Sequence, residues 1–272
     1  MSLSILNSIS SLNAENALST TQTNLQKVLT ELSTGLKINS GSDDAAGLSI
    51  ANGLQANVSA LNQSSQNASD GVGLLQTADG ALSQVTTLLD RAVTLATEAS
   101  TGGLSTAQSK ALDGEYQSIL TEIGNIGSTT NYNGTAIFGT TANVYTSDGT
   151  AAGSSTIATT INALTTAALS LTGTNLTSVG TAQTALSDIT TAIGTVAANR
   201  GAIGAAVNQL NADTNVENTE VTNLTSAQNN IQNADIGQTV TQLTQYNVLE
   251  QTGIQALQQS NQAQQAVLKL LQ

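Results

Sequence analysis

The aliphatic residues of the last third of the chain recur in alternating steps of three and four. In the final stretch Ile236, Val240, Leu243, Ile254, Leu257, Leu268 and Leu271 stand on this grid, with Asn247, Glu250, Asn261 and Gln264 between them. A repeat averaging 3.5 residues keeps one stripe of an α-helix apolar and turns it toward a partner helix, as in the a/d seam of a coiled coil. Polar members of such a seam cost stability but fix register. Upstream, Leu186, Ile189, Ile193, Val196, Arg200, Ile203, Val207, Leu210, Thr214, Glu217, Val221, Leu224, Gln228 and Ile231 keep the same spacing. The phase slips around Asn233, Ala234 and Asp235, which reads as a domain junction. A helix of about 50 residues would be roughly 75 Å long, so a rod-shaped subunit is expected.

The first half mirrors the last. Leu18, Gln22, Leu25, Leu29, Leu32 and Leu36 form a seam, interrupted by the Gly/Asn/Ser-rich stretch 35–42. Asp43 and Asp44 then suit the cap of a new helix, where their charge complements the dipole. The seam resumes through Leu54, Val58, Leu61, Ala68, Val72, Leu75, Leu82 and Leu89, and Thr101–Gly103 closes that helix. A shorter helix is expected from Ser105 to Ile126. Asn133–Gly134 between Tyr132 and Thr135 is a type I′ hairpin signal. Residues 140–180 are rich in Thr, Ser, Gly and Ala, which predicts short strands and loops on a variable surface, with some helix near Ile157–Leu171. The expected fold is mainly α: an elongated antiparallel helical bundle or coiled coil with a small β-hairpin region at the chain reversal. Its parts are a terminal coiled-coil domain (1–42 with 233–272), a helical domain with the hairpin (43–139 with 181–232), and the segment 140–180.

Composition narrows the function. The chain has no Cys, His, Trp or Pro. Without His and Cys, the usual metal-ligand sets and the Ser–His and Cys–His nucleophile pairs are absent, so no cofactor, metal or catalytic group is expected. A formal net charge of −12 repels phosphate backbones and argues against nucleic-acid binding. No apolar run is long enough to span a bilayer, and Met1–Leu12 lacks the layout of a cleaved secretory signal. Aromatic residues make up only 2% of the chain, so helices are expected to meet through small aliphatic side chains. Zero Pro removes the strongest helix breaker. Several Asn residues begin N-x-S/T triplets, which in so Asn/Ser/Thr-rich a chain read as chance.

Leu32–Gly47 reads L-S-T-G-L-K-I-N-S-G-S-D-D-A-A-G and runs on as L-S-I-A-N. Further on stand N-A-S-D-G (Asn67–Gly71), Q-T-A-D-G-A-L (Gln76–Leu82), N-R-G-A-I-G-A-A (Asn199–Ala206), L-T-S-A-Q-N-N-I-Q-N-A-D (Leu224–Asp235) and Q-A-V-L-K-L-L (Gln265–Leu271). As an ordered set over about 1–139 and 181–272, these resemble the ends of bacterial flagellins. Gly53, Gln209 and Gln228 depart from basic residues familiar in that family, and the central region is short for it. The resemblance implies a secreted, extracellular structural subunit, exported unfolded without a cleaved signal peptide and assembled into the flagellar filament. It implies copies of the chain itself as the main partner, with an export chaperone and junction and cap proteins besides. Alternatives at this point are a hook–filament junction protein of the same family and a secreted coiled-coil adhesin.

On this reading the self-assembly seam comprises Leu18, Leu25, Leu29, Leu32, Leu36, Ile236, Val240, Leu243, Ile254, Leu257, Leu268 and Leu271, and its core is largely intermolecular. Asp43 and Asp44 are the cap at the junction. Arg91, Leu95 and Glu115 stand in L-L-D-R-A-V-T-L-A and L-D-G-E-Y, segments similar to those some flagellins present to the Toll-like receptor for flagellin. That resemblance makes Arg91 and Glu115 polar receptor contacts and Leu95 a packing residue at that surface. The bland alternative is an ion pair between Arg91 and Glu115.

Overall fold

The computed structural model describes residues 9–150 and 153–270. Seam position Leu271 and the first eight positions therefore lie outside the described residues, and only the backbone of Leu268 is described. The fold is mainly α with two small antiparallel hairpins. Its elements are α1 (Ile9–Thr34), α2 (Ala45–Ala99), α3 (Thr106–Thr129), β1 (Asn131–Tyr132), β2 (Thr135–Ala136), β3 (Thr140–Ser147), β4 (Ser154–Ile161), α4 (Val179–Gln232) and α5 (Ile236–Leu270). The chain forms two compact units, one of them Ala56–Asn223 and the other made from the chain on either side of it. The unit boundaries fall inside α2 and α4, whereas the breaks in the helices fall at 35–44 and 233–235.

In the first unit, α1 ends where Gly35 adopts φ +73° and its amide donates to the Glu31 carbonyl. Glycine enters that left-handed region without a Cβ penalty. The segments after α1 and before α5 then pair. Lys37 N–H donates to the Gln232 carbonyl, Ala234 N–H donates to the Gly35 carbonyl, and Leu36 bridges Asn233. This pairing gives the phase slip its physical cause. Both strands of the junction leave helical geometry together and satisfy each other's backbone groups.

Asp44 caps α2 by accepting from Gly47 N–H at 2.9 Å. Asp43 does not cap, which corrects the paired-cap expectation. One of its oxygens accepts from the amides of Asn39 and Ser40, and the other meets Lys27 of α1 at 3.1 Å. Asp43 thereby ties the loop back to the preceding helix. Lys27 and these loop donors hold its carboxyl below the ordinary aspartate value.

In the second unit, buried positions on α2 recur as Ala68, Gly71, Leu75, Ala78, Leu82, Val85, Leu89, Ala92, Ala96 and Ala99. On α4 they are Ala182, Ala185, Ile189, Ala192, Val196, Ile203, Ala206 and Leu210. The three-four spacing is the expected one, but alanines occupy about half of the innermost sites. Leu186, Ile193 and Val207 lie only partly buried beside them. The two helices are antiparallel, since Arg200 of α4 reaches Asp79 of α2 and Glu217 reaches Ser64.

Helix α3 starts with a capping box. Ser105 Oγ accepts from Gln108 N–H, and Ser105 N–H donates to the Gln108 side chain. The β1–β2 hairpin turns at Asn133 (φ 51°) and Gly134 (φ 78°), the left-handed pair that a type I′ turn requires.

Residues 140–180 differ from expectation in two respects. The stretch beginning at Ile157 continues strand β4, which pairs with β3 from Thr140↔Ile161 to Ser147↔Ser154, and no α-helix covers it. The hairpin is also not a loose surface. Ala142, Val144, Ile157 and Ile161 point inward, and Leu164, Leu169, Leu171 and Leu176 follow them into the same core. Period-two alternation hidden among threonines carries this burial. Gly71 makes room for it, because a Cβ there would overlap Val144. Tyr116 closes the far end, its hydroxyl 2.6 Å from Thr174 Oγ1, and burial pushes its phenol up from the ordinary tyrosine value.

Candidate assembly interface

Helices α1 and α5 lie antiparallel in the first unit, with Ser11 Oγ 2.8 Å from Ser260 Oγ and Leu18 packed beside Gly253. The residues that α1 turns inward are Ser11, Ala14, Leu18, Thr21, Leu25, Val28 and Leu32. On α5 they are Thr239, Leu243, Tyr246, Glu250, Gly253, Leu257 and Ser260. Both sets have the three-four spacing of the apolar grid with the steps exchanged. Grid residues seven positions apart survive from Leu18 to Leu32 and from Leu243 to Leu257, so these leucines lie partly buried against the partner helix, and Leu36 sits in the junction bridge. Leu29, Val240 and Ile254 between them are exposed, as is Ile236 seven residues before Leu243, and Val28 and Thr239 are buried instead. Four of the ten seam residues whose side chains are described thus lie outside the α1–α5 contact.

The inner face mixes small and polar residues (Ala14, Thr21, Gly253, Ser260) with Val28 and the leucines, and part of the aliphatic set is left outside. Val240, Val248 and Leu249 line a shallow, mainly apolar groove with Thr241, Thr244 and Gln245. Ile9 and Leu12 are exposed on α1. Thr239 and Gly253 carried no sequence signal, since neither stands out on a hydrophobic grid.

The remaining candidates lie in the second unit. Arg91 Nε donates to Glu115 Oε1 at 2.8 Å, and both side chains are about half exposed. This hydrogen bond raises the Arg91 value and lowers that of Glu115. Leu95 is 0% exposed, locked in the core beside Ala92 and Ala96. It offers nothing to a surface in this fold, which corrects its assignment as a receptor contact. Arg200, read from sequence as a seam position, instead makes a two-pronged contact with Asp79 at 2.8 and 3.2 Å. No described helix is long and apolar enough to cross a membrane.

Residues 5–143 match the family described as the bacterial flagellin N-terminal helical region, and residues 186–271 match its C-terminal helical region. The chain belongs to the bacterial flagellin family. Among curated flagellins, B-type flagellin of Pseudomonas aeruginosa is 40% identical over 52% of this chain and 30% of its own length. Flagellin of Serratia marcescens is 41% identical over 47% of this chain and 36% of its own. The match thus spans only about a third of these flagellins. A crystal structure of Bacillus cereus flagellin is 32% identical, with a TM-score of 0.48, over 56% of this chain and 88% of that one. Both family matches include the helices of the first unit, so the exposed aliphatics of α1 and α5 belong to flagellin segments.

Proposed function

We propose that this chain is the structural subunit of a bacterial flagellar filament, secreted to the extracellular polymer, and that it acts by self-assembly rather than by catalysis. The observation that carries this is the pairing of α1 with α5, which leaves Leu29, Ile236, Val240, Val248, Leu249 and Ile254 exposed. Apolar area of this kind on a soluble chain marks an interaction surface. Other copies of the chain supply what covers it, through their own α1 and α5. An export chaperone and the junction and cap proteins are the further partners that family membership suggests. Arg91 and Glu115 remain the candidate polar contacts for the Toll-like receptor, without Leu95.

Seeded polymerisation of the purified chain, followed by light scattering and electron microscopy, tests this. Val248→Asp with Leu249→Asp should abolish filament growth while leaving the helical circular dichroism of the monomer unchanged. Filaments of normal length from that variant would show that this face is not the interface.

A further inference from the structure

Among the described residues of the second unit one carboxyl is buried. Glu217 is 7% exposed. One of its carboxyl oxygens is held by the Ser64 hydroxyl, and the other, Oε2, is buried without any hydrogen-bond partner. Ser64 in turn accepts from the amide of Ser147 at the end of β3, 3.0 Å away. The relay Ser147–Ser64–Glu217 thus joins the β3–β4 hairpin, α2 and α4 through a single carboxyl.

The surroundings disfavour a charge there. On α4 the acids Asp213 and Glu220 stand one turn to either side of it and repel its ionised form. Between Leu54 and Ala68, α2 carries no titratable residue, and Asp70 is the first beyond. The hairpin brings only Tyr145 and Asp148. The ion pairs Lys27–Asp43, Arg91–Glu115 and Arg200–Asp79 leave Glu217 without a basic partner among the described residues. A buried carboxylate with one oxygen unpaired and two acids beside it is a strained arrangement, and a proton relieves it.

We propose that Glu217 is a protonation-controlled latch. In its neutral form it holds the end of the β3–β4 hairpin against α2 and α4, and on ionisation it loosens that contact. Desolvation raises its value above the ordinary glutamate 4.5. A raised carboxyl gives stability that is complete below the unfolded-state value and lost as pH rises through the folded-state value. The latch therefore opens on the alkaline side of 4.5, in the direction opposite to acid denaturation.

Amide hydrogen exchange on the full-length monomer between about pH 5 and pH 8 tests it, after correction for the intrinsic pH dependence of exchange. In the wild type, protection of Ser147 and its β3 neighbours should fall at least tenfold across that range, and the urea midpoint should fall with it. Glu217→Gln and the apolar Glu217→Met should each hold protection constant with pH, because neither can ionise. Equal pH slopes in wild type and both variants would overturn the latch. So would a carboxyl carbon resonance of Glu217 that titrates at or below the ordinary glutamate value. None of these readouts depends on polymerisation, so the latch and the filament assignment stand or fall separately.

Discussion

Two glycines one turn apart on α3 give a sharp test of how the segment after the β3–β4 hairpin packs. A Cβ built on Gly127 would overlap the backbone carbonyl oxygen of Leu164, with the carbonyl carbon at 2.9 Å and the Leu164 Cβ at 3.0 Å. The same Cβ on Gly124 meets nothing within 4 Å. Replacing a mid-helix glycine by alanine stabilises a helix by about 0.5–1 kcal/mol when space is free. Overpacking costs about 1–3 kcal/mol, and the upper half of that range applies where the obstacle is backbone rather than a flexible side chain. Gly124→Ala should therefore raise stability by about 0.5–1 kcal/mol, and Gly127→Ala should lower it by about 1–2 kcal/mol. The two variants share a helix and a substitution, and together the two shifts set them roughly 2 kcal/mol apart. With a urea slope of about 2 kcal/mol per molar, their midpoints should lie about 1 M apart. A Gly127→Ala midpoint at or above wild type would mean that Leu164 does not press on α3.

The remaining predictions follow from the same contacts. Replacing residues 141–156 by a Gly/Ser linker removes the inward side chains of Ala142 and Val144 and uncovers Ile157. At about 1.5–3 kcal/mol for a buried Val or Ile, the urea midpoint should drop clearly, the opposite of what a replaceable surface segment would give. In a spectrophotometric titration one tyrosine should ionise late, above the ordinary value of about 10. Tyr116→Phe should delete that late step, since burial is what raises it. Asp43 is depressed by Lys27 first and by its loop donors next, so its contribution is present above the ordinary aspartate 3.8 and lost as pH falls through its lower folded value. Lys27→Met should move the acid-induced loss of amide protection at Asn39 and Ser40 to a higher pH.

The helices and both hairpin strands at Asn131–Ala136 were legible because local chemistry dictates them. The chain lacks Pro, Ser105 and Gln108 form a capping box, and Asn133–Gly134 fits only a left-handed two-residue turn. The choice of buried face was not legible to the same degree. A heptad grid can be read with its steps as four-three or three-four, and the larger aliphatics favour one reading. Ser11, Thr21, Thr239 and Gly253 belong to the other, and they share the inner face with Leu18, Leu25, Leu32, Leu243 and Leu257. The alanines of α2 and α4 likewise share their inner faces with larger aliphatics. In β3 and β4, threonines on both faces, with Thr146 and Thr159 buried on the inner one, masked the alternation of Val144, Ile157 and Ile161. Leu95 was misplaced because a local likeness to a surface segment says nothing of which way a leucine points, and here it points into the core.

The aliphatics left outside the α1–α5 pair bear on how a polymer of this chain would hold together. Ile9, Leu12, Leu29, Ile236, Val240, Val248, Leu249 and Ile254 are between 41% and 73% exposed in the monomer. Full burial of one such side chain is worth about 1.5–3 kcal/mol, so covering the half that remains exposed gains roughly 6–12 kcal/mol per subunit. Holding one subunit against another costs an estimated 4–15 kcal/mol in lost translational and rotational freedom. A single neighbour, covering only part of this surface, leaves the balance near or below zero. A subunit entering a lattice meets several neighbours at once, covers all of it, and loses its freedom only once. Growth at an existing end is then favoured over pairing in solution. On the proposed assembly, shaving the outer aliphatics one at a time should raise the critical concentration of seeded growth stepwise before the α1–α5 pair itself loosens.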